Sequence, residues 1–279
     1  MDCYDKAPIK YSETGIPIFS SEDDYTTNYE KIATDHLVVE RETSKNPWIT
    51  DELRIQFEES TYALVKKHLS DSRNSGIKVL DVGVALGRLL DMVDGVEKFG
   101  VDISMGYLEI AQKKGIEVCC ARAEELPYKK CYFDMVICTD VLEHVFNLNR
   151  TVESLLSVIK PGGILIVRAP LNELLRGYFD DEYPYEYVHM RTFDLWSLKA
   201  LFEKIYKQRI LEYSVVQLPH AFTQELFFKW INIFNLMRRV TNRLLRIVGR
   251  GPSKIKYIDA DEFRQRLSIG EINVVLEKR

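Results

Sequence analysis

Asp81, Gly83, Gly87 and Asp102 are the residues whose types and spacing first suggest chemistry. The run Asp81-Val82-Gly83-Val84-Ala85-Leu86-Gly87 carries two glycines, which lack Cβ and so let a ligand approach the backbone closely. A helix that starts after such a turn presents unpaired N–H groups to a polar ligand. Asp102 stands 19 residues after Gly83, where a carboxylate closing the next strand can accept hydrogen bonds from both hydroxyls of a ribose. The spacing also separates two classes of nucleotide. A dinucleotide fingerprint needs glycines in the frame G-x-G-x-x-G/A, but counting from Gly83 the second falls on Ala85 and the third on Arg88. A nicotinamide-dependent oxidoreductase is therefore disfavoured.

Five histidines supply groups that titrate near neutrality. His189 lies in Tyr183-Pro184-Tyr185-Glu186-Tyr187-Val188-His189-Met190-Arg191, and a hydroxyl acceptor bound there would meet a base or an acceptor-orienting imidazole. The alternative is a histidine that only packs or caps near the next helix. His144, Tyr178, Tyr185 and Tyr187 are candidates for lining an acceptor pocket, although a tyrosine cluster is as often ordinary packing. The five cysteines make an odd count without a Cys-x-x-Cys pair, which suits reduced thiols, and no metal is assigned.

These side chains need elements to hold them. Thr50 can cap a helix reaching Leu69. After Asn74-Ser75-Gly76, β-branched and apolar runs alternate with helical patterns: Ile77–Val82 then Leu86–Val93, Phe99–Asp102 then Tyr107–Lys114, Ile116–Ala121, Met135–Thr139 then Val152–Ile159, and Ile164–Ala169. Asp194 can cap a helix over 195–205, and two more strands follow near Ile210–Val216 and Ile272–Leu276. Strands alternating with helices predict a doubly wound, mostly parallel α/β sheet.

Val79-Leu80-Asp81-Val82-Gly83-x-x-x-Gly87 resembles the first motif of class I S-adenosylmethionine (SAM)-dependent methyltransferases. The likeness continues in order through Gly100-Val101-Asp102-Ile103-Ser104, Ala121-Arg122-Ala123-Glu124-Glu125-Leu126-Pro127-Tyr128, Phe133-Asp134-Met135-Val136 and Leu142-Glu143-His144-Val145. It ends at Ile159-Lys160-Pro161-Gly162-Gly163-Ile164-Leu165-Ile166-Val167. Together these blocks resemble the type 11, small-molecule branch of the family. The departure is Ala85, where that family usually has glycine. The resemblance implies a Rossmann-like sheet with an antiparallel last strand and a helical insertion before it. It also implies SAM as cofactor, with Asp81 and Gly83 near its amino-acid part, Gly87 in the same turn, and Asp102 and Ile103 at the ribose. Ala123 and Glu124 would meet the adenine, and Asp140 the methionine portion. For Glu124 and Asp140 a helix cap or a solvated charge is the competing reading.

The net charge of −4 is unevenly spread, since Pro219–Lys256 holds eight Lys/Arg against Glu225 alone. Within it, Leu226, Trp230, Ile233, Met237, Val240, Leu244 and Ile247 recur at helical spacing beside Arg239, Arg243, Arg246 and Arg250. Two readings stay open for residues 222–250: a helix lying in a membrane interface, or a lid or contact between copies of the chain. The expected organisation is an arm over 1–48 and a methyltransferase domain over 49–279, interrupted by the basic insertion at 219–256. No basic, apolar, small-residue leader opens the sequence, so a cytoplasmic location is expected, with membrane association tied to the insertion.

The expected reaction is O-methylation of a small molecule or glycan, with a lipid-linked acceptor suggested only by the insertion. A nucleic-acid acceptor is disfavoured, because Cys138-Thr139-Asp140-Val141 stands where base N-methylases carry an Asn/Asp-Pro-Pro-aromatic run, and the main body is acidic. The competing reading is a SAM-binding scaffold without turnover.

Overall fold

The computed structural model describes residues 3–43, 50–70, 76–179, 183–217 and 270–279. Among the described residues nine strands form one sheet: β1 (Lys10–Tyr11), β2 (Pro17–Ile18), β3 (Lys78–Val82), β4 (Glu97–Asp102), β5 (Glu117–Cys120), β6 (Phe133–Thr139), β7 (Ile159–Leu171), β8 (Arg209–Gln217) and β9 (Gly270–Glu277). Their spatial order is β1-β2-β5-β4-β3-β6-β7-β9-β8. Strands β2 to β7 pair in parallel, whereas β9 runs antiparallel between β7 and β8. The expected α/β sheet with an antiparallel last strand is thus present.

The chain winds outward from β3 to β4 and β5 on one side, then returns to build β6 and β7 on the other. The carboxyl ends of β3 and β6 therefore face a switch point, the usual ligand crevice of such a sheet. Both faces of the sheet are covered, which is why its strands read as apolar runs and not as polar–apolar alternation. The period of two decides which face each residue joins. Leu80, Val82, Val136 and Cys138 enter one core with Phe133, Leu155 and Phe202, while Val79, Met135 and Ile137 enter the other with Leu90, Leu108 and Val65.

Among the described residues six α-helices accompany the sheet: α1 (Asp24–Thr43), α2 (Asp51–Ser70), α3 (Arg88–Asp91), α4 (Met105–Lys113), α5 (Leu148–Val158) and α6 (Leu195–Lys199). Thr50 accepts the Leu53 N–H at 3.4 Å, as its capping role requires. Asp194 and Ser197 close a reciprocal capping box at α6, which continues into a π-helical turn over Ala200–Ile205. The pattern over Leu86–Val93 yields only the four-residue α3, because Gly87 in a left-handed conformation (φ 68°) delays the start. The polar, turn-rich stretch before Trp48 also holds more regular structure than its composition suggests, since β1 and β2 extend the sheet beside β5 and α1 packs on α4. The basic segment 219–256 lies outside the described residues.

Candidate functional site

The turn after β3 is fixed by backbone geometry. Gly83 (φ 79°), Ala85 (φ 44°) and Gly87 (φ 68°) all take left-handed dihedrals. A Cβ on Gly83 would lie 2.3 Å from Val141 Cγ2, so glycine is needed there for close approach as well as for conformation. Gly83 and Val84 donate to the Val101 carbonyl at 2.8 and 3.0 Å, which fastens the turn to β4.

Asp102 completes the fastening. Its Oδ2 accepts the Ala85 N–H at 2.9 Å, and Oδ1 accepts those of Ile103 and Ser104 at 2.8 and 2.9 Å. Burial raises its pKa in spite of these three bonds, which favour the charged form. A carboxylate has about four lone-pair directions, so acceptor capacity remains for a ligand hydroxyl. Asp81, near the end of β3, is 3% exposed, and its Oδ1 has no hydrogen-bond partner among the described residues. Burial pushes its carboxyl up to about 8, against the pull of Arg168 and with the help of the like charges of Asp102 and Asp140.

Beyond β6, Asp140 takes a left-handed conformation (φ 55°) and pairs side-on with the Nε–Nη2 edge of the Arg168 guanidinium, its Oδ1 accepting Nε–H at 3.1 Å and its Oδ2 pairing with Nη2. Arg168 is the single charge in the apolar run of β7, where it is 7% exposed; Nη1 donates to Thr61 at 3.2 Å, and Thr61 donates to Asn273 at 2.8 Å. Burial works against its charge and Asp140 more than restores it, so the guanidinium pKa is raised.

Ala123 and Glu124 begin the short turn after β5 and are buried. Glu124 accepts the Phe146 N–H at 3.2 Å, which ties that turn to the loop after β6. Its carboxylate is thus partly engaged in holding the crevice wall.

A second constellation forms where the connections after β6 and β7 meet. His144 and His189 have ring centroids 4.5 Å apart in an edge-to-face arrangement. Tyr29 Oη lies 2.7 Å from His144 Nδ1. Glu173 pairs with His189 Nδ1, and Tyr178 donates to Glu173 Oε1 at 2.6 Å while standing 3.3 Å from the same ring nitrogen. Burial, then the neighbouring His189, pulls His144 down to about 3, so it is a neutral imidazole near pH 7. Glu143 is fully buried, and among the described residues neither carboxylate oxygen has a hydrogen-bond partner. Burial, reinforced by Asp140, drives its pKa well above the carboxylate range.

Helix α1 spans both constellations. Glu30 accepts the N–H groups of Met105 and Gly106 at 2.9 and 3.2 Å, capping α4 beside Asp102. Tyr25 donates to the His144 carbonyl at 3.3 Å, Asn28 donates to the Tyr187 carbonyl at 2.7 Å, and Lys31 donates to the Pro184 carbonyl at 2.9 Å. Tyr185 donates to Asp35 at 3.0 Å, and the Tyr187 ring packs on Tyr25 and Phe146. Of the three tyrosines singled out from sequence, Tyr178 stands beside His189, whereas Tyr185 bonds α1 and packs on Tyr183, and Tyr187 packs on Tyr25 of α1 and on Phe146.

Glu173, Glu143, Arg168 and Glu30 are functional candidates that sequence reasoning did not pick out. Arg168 had a visible signal, a lone charge inside Ile164–Ala169, and Glu143 is adjacent to His144 in a quoted block. Glu173 and Glu30 carried none, since their partners lie far off in sequence.

Comparisons with known proteins agree with this geometry. Residues 80–167 match the family model described as a methyltransferase domain. A ubiquinone biosynthesis O-methyltransferase of Rickettsia prowazekii is 33% identical over 112 residues, 37% of this chain and 44% of that protein. A tRNA (carboxymethyluridine(34)-5-O)-methyltransferase of Arabidopsis thaliana is 30% identical over 135 residues, 42% of this chain and 33% of its own length. The aligned part is thus less than half of either relative. Among solved structures, a SAM-dependent methyltransferase of Thermotoga maritima, described as a possible histamine N-methyltransferase, superposes with a TM-score of 0.54 at 20% identity. The superposition covers 91% of this chain and 100% of that one. At that identity it shows the shared fold.

Proposed function

We propose, from the premise that residues 80–167 are a class I methyltransferase domain, that the chain transfers a methyl group from SAM to a hydroxyl of a small molecule or glycan. The observation that carries the reading is the pairing of two sites at one sheet end: the Gly83–Gly87 turn with Asp81 and Asp102, and the His189–Glu173–Tyr178 group.

The donor set suits SAM. The unpartnered, buried Oδ1 of Asp81 is an acceptor for an ammonium group, and Asp102 keeps capacity for a ribose hydroxyl. Asp140, Ala123 and Glu124 complete the proposed cofactor contacts, with Ile103 and Gly87 supplying backbone. When bound, SAM supplies a methyl on a positively charged sulfur, so the protein mainly has to align the acceptor and exclude water. Methylation of an acceptor hydroxyl would release S-adenosylhomocysteine and the hydroxyl proton, which needs a group to receive it. His189, oriented by Glu173 as a carboxylate orients an imidazole in other acid–base sites, takes that proton or holds the hydroxyl in line. Tyr178 and His144 border the same space.

The test is release of S-adenosylhomocysteine from the full chain with a panel of phenolic, quinol and lipid-linked glycan acceptors, tRNA included. His189→Ala should lower turnover with SAM affinity intact; equal loss of both would make His189 structural. Turnover with tRNA alone would move the acceptor to nucleic acid, and intact SAM binding without turnover on any acceptor would favour a non-catalytic scaffold.

A further inference from the structure

Glu143 has no account in the scheme above. It is fully buried, and among the described residues neither carboxylate oxygen has a hydrogen-bond partner, so the group lacks the donors or the cation that a buried carboxyl ordinarily has. One of its oxygens and one ring nitrogen from each of His144 and His189 lie within 4.8 Å of one another, the His144 Nε2 to Glu143 Oε1 distance being 3.9 Å.

We infer that Glu143, His144 and His189 form a site for a divalent transition-metal ion, of the zinc, manganese or cobalt class. Two imidazoles and one carboxylate are the donor set of many such sites with open positions, whereas magnesium and calcium favour oxygen ligands throughout. Nδ1 of each histidine already has an outer partner, Tyr29 Oη for His144 and the Glu173 carboxylate for His189. His144 also hydrogen-bonds the Val188 backbone, which competes with an ion for that ring, and outer hydrogen bonds at Nδ1 are the usual support of metal-binding histidines. Asp140 and Glu173 act on Glu143 as like charges, against Arg168, which is paired with Asp140, and Arg191. Ligands about 2.1 Å from a tetrahedral ion stand about 3.4 Å apart, so the three groups close up modestly on binding.

The inference rests on the proposed function for its role. An ion with an open position binds the acceptor oxygen and acidifies its hydroxyl, which makes His189 the residue that orients the acceptor through the ion. No Cys-x-x-Cys spacing marks this site, so reading the sequence for cysteine pairs could not find it.

The experiment is a titration of the chelator-treated full chain with Co²⁺, followed by visible absorption, with SAM affinity measured separately by calorimetry. One equivalent should bind and develop ligand-field bands. Glu143→Gln and His189→Ala should each weaken Co²⁺ binding at least tenfold while SAM affinity stays within twofold. Absence of Co²⁺ binding, or a Glu143→Gln protein that binds it as tightly as wild type, overturns the metal site. Chelator-resistant turnover with no bound ion would also overturn it and leave the methyltransferase reading standing, whereas Co²⁺ binding without SAM binding would do the reverse.

Discussion

Asp102→Asn separates the two tasks that one carboxylate performs. Oδ1 holds the Ile103 and Ser104 N–H groups and Oδ2 holds that of Ala85. An asparagine that keeps the first pair sets its own NH₂ against the Ala85 N–H, so one buried donor loses its acceptor. A charge-assisted bond contributes about 1.5–3 kcal/mol. Burial already disfavours the Asp102 charge, so the neutral amide recovers part of that loss, and a net destabilisation of about 1–2 kcal/mol is expected. For a chain of 279 residues that corresponds to a fall in Tm of roughly 2–4 °C by differential scanning calorimetry. If Asp102 also holds the ribose, the lost charge-assisted bond weakens SAM by about 10- to 150-fold, read by isothermal titration. A lowered Tm with SAM affinity unchanged would refute the ribose role and leave Asp102 as a fastener of the turn.

Gly83→Ala should cost roughly 2–4 kcal/mol, from left-handed strain and overpacking, because the new Cβ meets Val141 Cγ2 at 2.3 Å; wild-type stability in urea would contradict this packing. The Asp81 pKa is raised in the fold to about 8 from 3.8 by burial, and the groups facing it are Asp102, Asp140 and Arg168. A raised folded-state pKa gives stability present at low pH and lost as pH rises through the folded value. Between pH 6.5 and 8 the ligand-free protein should therefore lose stability at up to about 1.4 kcal/mol per pH unit, and Asp81→Asn should flatten that slope. An unchanged slope in the variant would assign it to other groups. Replacing Arg239, Arg243 and Arg246 with glutamate should abolish binding to anionic vesicles in a sedimentation assay, and wild-type protein that never sediments with vesicles would dispose of the interfacial helix.

The parallel core was legible because its strands, covered on both faces, spell themselves as apolar runs separated by glycine turns. The run Ile77–Val82 became β3 with only its first residue trimmed. Helix α1 was obscure for the opposite reason. It packs through Tyr25, Ala33 and His36, with a weak apolar stripe and many polar partners, so neither periodicity nor composition marked it. The cofactor turn could be read because glycine spacing reports a backbone demand. Ala85 shows the limit of that rule, since it adopts φ 44° without being glycine, held there by the Asp102 carboxylate. On the proposed acceptor side, His189 and Tyr178 stand out by local composition, whereas Glu173 and Glu143 gain meaning only through burial and through partners brought by other elements.

The most direct test of the central claim is isothermal titration of the purified full chain with SAM, S-adenosylhomocysteine and NADH. Micromolar binding of the first two, and none of NADH, is the expected result. Failure to bind either sulfur ligand would contradict the account and leave the Gly83–Gly87 turn as an ordinary strand-to-helix connection.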